Sequence, residues 1–324
     1  MDAERLTDRI EASDLAGLIR FLDELGRDRD WDGIVAVRDR CREAVERGKQ
    51  VWAIAELAEY RLALDAPGPY AGSVVGDGRG RFALGPLWEV AASTHSWAEL
   101  EAQVSAPTAR AMVAHERVVR GEDLRDVDVD ADVLGTSLVL QPWEPQYALA
   151  AYRPDAADFP ERPGSDLAWT ELGEPAEQVP DDGPGHTLLE LVRPWSEESS
   201  GRAMALQVVG GARQAIRTLG PHRVRLARVS LGEALAAMAW AGASGGAFGR
   251  RRGTPVGRAG AWWVLAELLG YGELPADPDD LEEAADLEWY RWDPGDRVGG
   301  WSFHMAVADP DDGIAWVVSA VDMR

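Results

Sequence analysis

The last part of the chain contains the stretch Phe303-His-Met-Ala-Val-Ala-Asp-Pro-Asp-Asp-Gly-Ile-Ala-Trp-Val-Val318. Apolar residues alternate along each half of this stretch: Phe303, Met305 and Val307, then Ile314, Trp316 and Val318. Alternation with a period of two is typical of a strand that has one face on a core. The residues between the two halves, Asp-Pro-Asp-Asp-Gly, are strong turn formers. The sequence therefore predicts that the chain ends in a β-hairpin.

Strand and helix patterns alternate through the rest of residues 186–324. They predict a strand at 224–229, a helix that starts at a Ser230–Glu233 capping box, and a strongly apolar helix at 259–269. Residues 203–219 fit either one helix or a strand, a turn and a helix, because Gly210-Gly211 interrupts their apolar pattern. We therefore predict a mixed α/β domain, rich in tryptophan, over residues 186–324.

The first 120 residues have helical spacing instead. Apolar residues recur every three or four positions in the segments 15–25, 31–45 and 51–62. This pattern predicts a helical domain over residues 1–120, built either like a helical repeat or as an irregular bundle. Residues 121–185 hold 3 basic and 16 acidic residues and many prolines and glycines, which predicts a connection between two domains. The predicted fold class is α+β.

Composition limits the possible functions. The formal net charge of −23 argues against nucleic-acid binding by the whole surface. The charged N-terminal sequence lacks the apolar core of a signal peptide, and no apolar run is long enough to cross a bilayer. The single cysteine, Cys41, cannot form an internal disulfide. We therefore expect a cytoplasmic protein without membrane insertion.

One segment departs from this acidity. Residues 193–258 contain 11 arginines and only 3 acids, a net charge of +8. The segment ends in the Gly–Arg loop, Ser244-Gly-Gly-Ala-Phe-Gly-Arg-Arg-Arg-Gly-Thr-Pro-Val-Gly-Arg258. Guanidinium groups and backbone N–H groups freed by glycine are ligands for phosphate or carboxylate. The predicted anion- or partner-binding residues are Gly245, Gly246, Arg250, Arg251, Arg252 and Arg258. Alternatively, the loop is solvated or docks on the acidic segments of the chain itself.

Familiar catalytic and cofactor motifs do not fit. The loop has no lysine, which a Walker A motif requires, and the segment Gly76–Arg81 ends in arginine where a dinucleotide fingerprint needs glycine. The segment Gly242–Gly246 matches a nucleophile elbow in letters only, because a helix rather than a strand precedes Ser244. We therefore interpret Ser244 as the end of a helix. We predict no cofactor.

The five histidines show no metal-ligand spacing, so we predict no metal site. His304 lies in the predicted hairpin on the same face as Ser302 and Ala306. It is a possible additional site residue, as a general base, although a lone histidine on a strand is also explained by a structural hydrogen bond.

Two motifs resemble those of a family of uncharacterised proteins from high-GC bacteria. They are Gly246-Ala-Phe-Gly-x-x-Arg-Gly-x-x-x-Gly-Arg-x-x-Ala-Trp-Trp263 and the ending Gly300-Trp-Ser-Phe-His-x-Ala-x-x-Asp-Pro-x-x-Gly-x-Ala-Trp316. The resemblance covers about 140 C-terminal residues. It implies no activity and no catalytic residues.

The function that these patterns favour is non-enzymatic. We predict a protein-interaction module or accessory subunit of a bacterial system, because no catalytic set of residues survives and charge is segregated along the chain. The alternative is an enzyme or sensor that binds a small anionic or phosphorylated ligand through the Gly–Arg loop, residues 244–258. The expected partner is another protein, or else a small anion, and contact with nucleic acid, a weaker alternative, would be confined to residues 193–258.

Overall fold

The computed structural model divides the chain into two compact units. Unit 1 consists of Met1–Asp130 and Ala150–Phe159, and unit 2 of Ala131–Leu149 and Pro160–Arg324. The structure describes residues 3–76, 84–129, 133–181, 183–272, 274, 277–295 and 300–323. The chain passes between the units three times, so the predicted connection 121–185 contains parts of both units.

Unit 1 is mainly helical. Its helices are α1 (Ala3–Glu11), α2 (Leu15–Asp28), α3 (Trp31–Glu46), α4 (Trp52–Asp65), α5 (Gly68–Val74), α6 (Leu87–Thr94), α7 (Trp97–Leu100) and α8 (Pro107–Val119). The side chains of Asp14 and Asp30 cap α2 and α3 by accepting hydrogen bonds from the backbone N–H groups of Gly17 and Gly33. A short hairpin, β1 (Ala151–Arg153) and β2 (Ala156–Asp158), completes the unit.

Unit 2 is built on an antiparallel seven-stranded sheet with the order β3-β6-β7-β8-β9-β5-β4. The strands are β3 (Ala168–Glu171), β4 (Glu177–Val179), β5 (Arg202–Val209), β6 (Arg223–Val229), β7 (Glu288–Asp293), β8 (Gly300–Asp309) and β9 (Ile314–Met323). The two edge strands, β3 and β4, come from the segment predicted as a connection. The acidic segment therefore contributes to the sheet.

Helices cover both faces of this sheet. They are α9 (Pro184–Glu197), α10 (Ala212–Thr218), α11 (Leu231–Ala243), α12 (Thr254–Leu268) and α13 (Pro278–Leu281), the last followed by a 3-10 turn over Glu282–Ala285. Helices α9, α11 and α12 share a core with one face of β8 and β9, which includes Trp316. Helix α10 packs on the opposite face.

The main elements predicted from sequence are present. Strands β8 and β9 pair as the predicted hairpin, with Val307 opposite Trp316, and the α+β class is confirmed. Ser230 and Glu233 form the predicted capping box of α11. Residues 203–219 adopt the strand-turn-helix alternative. Within the described residues, no helix has both the length and the apolar character needed to span a membrane.

Candidate functional site

The Gly–Arg loop is shorter than the sequence suggests, because helices occupy both of its predicted ends. Ser244 is the C-cap of α11, as predicted, and its hydroxyl accepts a hydrogen bond from the indole of Trp195 at 3.0 Å. Helix α12 starts at Thr254, so Arg258 lies inside the helix rather than in the loop. The loop that remains spans residues 245–253, and the backbone N–H of Arg252 ties it to the carbonyl of Ala243 at 2.8 Å.

Two backbone donors of the loop bind groups of the protein itself. The N–H of Ala247 donates to Asp322 Oδ2 at 2.6 Å, and the N–H of Phe248 donates to Ser199 Oγ at 3.2 Å. Gly246 has φ +78°, and a Cβ at this position would overlap the Asp322 carboxylate. Asp322 is fully buried. The anion that contacts the glycine-rich backbone is therefore the protein's own Asp322.

Arg258 is a structural residue of unit 2. Its side chain is completely buried, and all five of its N–H donors have acceptors. Nε and Nη2 bind the two carboxylate oxygens of Glu144 at 2.7 and 2.8 Å, in a bidentate ion pair. The remaining donors bind Thr136 Oγ1 and the carbonyl oxygens of Ser137 and Val139. Arg258 therefore has no donor left for a ligand. It pairs with an acidic residue of the chain itself, which was the alternative to ligand binding.

A glycine allows this arrangement. Gly257 packs directly against α11, where a Cβ would overlap the carbonyl of Ala239. Because the two helices approach closely at this point, Arg258 is held inside the unit. Glu144 also accepts hydrogen bonds from the indole of Trp262 and the hydroxyl of Tyr147, at 2.9 and 2.8 Å. Burial raises the pKa of Glu144, but Arg258 and the other donors outweigh burial and hold that pKa below its ordinary value.

The other predicted loop residues have separate positions. Arg250 is exposed, and Arg251 donates to Thr254 Oγ1 at 3.0 Å. Gly245 allows the chain to pass close to the backbone of Arg250. Arg252 lines a cavity between α9 and α12. The loop does not gather these arginines into one site, and its role in anion or partner binding stays a prediction.

His304 lies in a different place, a cleft of about 520 Å³ in unit 2. We call it the arginine cleft. Its walls carry the charged and polar side chains of Arg162, Ser165, Asp166, Arg225, Arg291, Asp293 and His304, and the aromatic side chains of Trp240, Trp292 and Phe303. Three guanidinium groups face two carboxylates, so the lining has a net charge of +1 without the histidine (3 − 2).

The sheet opens to form this cleft. Strands β7 and β8 pair from Glu288, opposite Ala308, to Arg291, opposite Met305. Beyond this last pair, β7 continues to Asp293, and the part of β8 that begins at Gly300 is not paired with β7. The cleft lies at this unpaired end, beside Trp292 and His304, whose ring centroids are 4.6 Å apart. Residues 162–168, which lead into edge strand β3, form the opposite wall.

Contacts with the protein fix the arginines of the cleft. Arg291 is buried, and its Nη1 donates to the carbonyl of Pro163 at 2.5 Å and to Ser165 Oγ at 2.8 Å. Arg225 donates through Nη2 to Asp293 Oδ2 at 2.8 Å, directly across the β6–β7 pair. Arg162, which is exposed, donates to Ser302 Oγ.

Several donors of the cleft have no acceptor in the described part of the chain. Arg225 Nε and the indole N–H of Trp292 are buried without a hydrogen-bond partner. Among the described residues, His304 binds only Ser319, through Nδ1 at 3.1 Å, which leaves its Nε2 without a partner. Buried polar groups that stay unpaired are costly, so a ligand acceptor that reached these nitrogen atoms would remove an energetic penalty.

The pKa shifts agree with a desolvated, basic environment. Burial lowers the pKa of His304 to about 4, with Arg162 adding to the effect and Asp293 opposing it. Burial likewise lowers the pKa of Arg291, and the nearby Arg162 lowers it further. Burial raises the pKa of Asp293, but the Gly295 N–H and Arg225 outweigh it and hold that pKa below its ordinary value. At pH 7 the imidazole of His304 is therefore neutral.

Sequence reasoning singled out only His304 among the cleft residues. The three arginines of the cleft, Arg162, Arg225 and Arg291, come from segments that are far apart in the sequence. No short sequence pattern predicts that they lie close together. A usable signal was present in β7, where Arg291 lies between the apolar residues of Glu288-Trp-Tyr-Arg-Trp-Asp293. A charged residue in a strand buried on both faces usually has a partner or a ligand.

Comparison with known proteins shows to which family the chain belongs. Residues 16–324 match the model of a family of unknown function, DUF6183. The chain belongs to this family. The match extends well beyond the 140 C-terminal residues in which the resemblance was seen, and it includes the arginine cleft. No curated protein and no solved structure matches. Within the described residues, no group of three or more histidine, cysteine or acidic side chains could hold a metal ion.

Proposed function

We propose that unit 2 binds a small oxyanion, a phosphate or carboxylate group of a soluble ligand, in the arginine cleft. The observation that carries the proposal is the convergence of Arg162, Arg225 and Arg291 on one cleft, where Arg225 Nε and the Trp292 indole also lack acceptors among the described residues. A cleft of about 520 Å³ has the size typical of small-molecule sites. This is the alternative function predicted from sequence, with the site moved from the Gly–Arg loop to the sheet.

Binding, rather than proton abstraction, suits the chemistry of the cleft. A base with a pKa of about 4 is weak at neutral pH, which disfavours His304 as a general base. When Ser319 donates to Nδ1, the neutral imidazole presents Nε2–H as a donor to the ligand. The aromatic side chains of Trp240, Trp292 and Phe303 would then contact the less polar part of the ligand.

Isothermal titration calorimetry with inorganic phosphate and with acetate tests this function. The wild-type protein should bind at least one of the two anions, and more weakly as ionic strength rises. Arg225→Gln and Trp292→Phe each remove a donor and should weaken binding about tenfold or more, since a hydrogen bond to a charged group contributes about 1.5–3 kcal/mol. Trp292→Phe keeps an aromatic ring, so the packing of the cleft is largely retained.

Arg228→Gln is the matched control. Arg228 lies on the same strand as Arg225, carries the same charge, pairs with Glu288 and does not line the cleft. Its replacement should leave anion binding unchanged. If phosphate and acetate both fail to bind the wild type, or if Arg228→Gln weakens binding as much as Arg225→Gln, the proposal is wrong. The prediction of a protein partner is a separate one, and this titration does not test it.

A further inference from the structure

A second cavity of unit 2 has a different character. It has a volume of about 540 Å³ and lies between α9 and α12, away from the arginine cleft. We call it the apolar pocket. Its walls are mostly apolar, with Leu134, Leu191, Val256, Ala259 and Trp263 among them. Gly242 and Gly260 also line it, so part of the wall is backbone without side chains.

One cation lines the apolar pocket, Arg252 of the Gly–Arg loop. No carboxylate of the described residues lies within ion-pair distance of its guanidinium. The acid that shares the pocket wall, Glu190, is instead 3.3 Å from the guanidinium of Arg193 on the same helix. Burial lowers the pKa of Arg252, and the nearby charge of Arg193 lowers it further, against the weaker influence of Glu198 and Glu190.

The loop holds Arg252 at this position. Its backbone N–H donates to the carbonyl of Ala243 at the end of α11, at 2.8 Å, and that of Gly253 is 3.3 Å from the same oxygen. The backbone of Arg252 is therefore held at the end of α11, and Arg252 lines the wall of the apolar pocket. A half-desolvated cation without a strong anionic partner is stabilised by an incoming carboxylate.

We propose that the apolar pocket binds a small amphipathic carboxylate, with its carboxylate on Arg252 and its hydrocarbon part against Leu191, Val256 and Trp263. Glu190 of this wall lies against Arg193, and most of the remaining wall is apolar, so Arg252 fits a ligand with one anionic head and an apolar body. In the arginine cleft, several hydrogen-bond donors of the protein would bind the phosphate or carboxylate group. In the apolar pocket, burial of the ligand's hydrocarbon part would contribute most of the binding free energy. This site is independent of the proposed function.

Calorimetry with octanoate as the probe tests the proposal, with 1-octanol as its neutral counterpart. Octanoate should bind the wild-type protein more tightly than octanol, and a saturating concentration of phosphate should not displace it. Arg252→Gln should weaken octanoate binding about tenfold, the effect of losing a charge-assisted hydrogen bond, and leave octanol binding unchanged. Arg213→Gln is the matched control, since Arg213 is exposed on α10 and does not line the apolar pocket.

Val256→Phe gives a second test that does not depend on charge. Val256 is only partly buried, so a larger side chain should fill the apolar pocket without loss of the fold, as a thermal melt would verify. Both octanoate and octanol should then bind at least tenfold more weakly. Equal binding of octanoate to wild type and Arg252→Gln would overturn the proposal. Displacement of octanoate by phosphate would also overturn it, because the probe would then occupy the arginine cleft.

Discussion

At the scale of single residues, the ion pair of Arg258 and Glu144 is buried on both sides. It joins α12 to a segment 114 residues earlier in the chain. Replacing Arg258 by glutamine leaves the Glu144 carboxylate buried without its cation, which typically costs about 3–5 kcal/mol of unfolding free energy. Urea denaturation of Arg258→Gln measures this loss. Arg250→Gln, a change of the same charge on an exposed side chain, should shift the midpoint little, and equal effects of the two changes would contradict the role given to Arg258.

His304 makes stability depend on pH. Its pKa is about 4 in the folded protein, because burial disfavours the imidazolium ion, and 6.5 is its ordinary value in an unfolded chain. Below pH 6.5 the unfolded chain therefore binds a proton that the folded protein does not. The unfolding free energy contributed by His304 is complete above pH 6.5 and falls as the pH approaches 4, by about 3 kcal/mol in all.

Urea denaturation between pH 7.5 and 4.5 measures this dependence. The variant His304→Gln should lose part of the pH slope, whereas His222→Gln, which replaces an exposed histidine, should keep it. A wild-type slope that His304→Gln leaves unchanged would show that His304 titrates in the folded protein as it does in the unfolded chain.

At the scale of elements, the hairpin of β8 and β9 depends on Trp316. This side chain is 6% exposed and belongs to the core shared with α9, α11 and α12. Replacing it by alanine should cost about 3–5 kcal/mol, the usual loss for truncation of a buried tryptophan. Trp169 on edge strand β3 is 52% exposed, so Trp169→Ala is the control and should lower the melting temperature much less. Similar melting temperatures for the two variants would contradict the packing described for the hairpin.

The hairpin and the helices were predictable because their signals are local. Alternation along residues 303–318 defines the strands, and the capping box at Ser230 defines the start of α11. The edge strands β3 and β4 were missed because they are four and three residues long and lie among prolines and acidic residues. A strand this short has too few residues for a period to be visible, and its pairing with β6 or β5 decides its structure.

The site was less predictable than the fold. The Gly–Arg loop was predicted as a binding site because its charges are adjacent in sequence. In the structure, Arg258 instead binds Glu144 in the interior of unit 2. The arginine cleft joins Arg225 of β6, Arg291 of β7 and Arg162, which precedes β3, and these strands are neighbours only in the folded sheet. This arrangement depends on strand pairing between segments that are distant in the sequence. The spacing of residues within one segment does not show with which other segment it pairs.

At the scale of the whole molecule, the order of segments determines which fragments can fold. A fragment of residues 186–324 lacks β3 and β4, and it also lacks Glu144, the partner of buried Arg258. We therefore expect this fragment to show no cooperative thermal transition by circular dichroism. A fragment of residues 131–324 retains all three features and should unfold cooperatively. Cooperative unfolding of the shorter fragment would show that the predicted boundary at residue 186 is a true one.

NMR of the histidine side chains shows whether the arginine cleft binds an oxyanion. Inorganic phosphate is added at pH 7 and low salt while the ring nitrogen resonances of the five histidines are followed. Nε2 of His304 should shift in a saturable manner, and the shift should disappear in Arg225→Gln but persist in Arg228→Gln. His186 and His222, which are exposed, should show no saturable shift. A His304 resonance that stays unchanged at high phosphate, or one that shifts equally in Arg225→Gln, would show that phosphate does not bind in the arginine cleft.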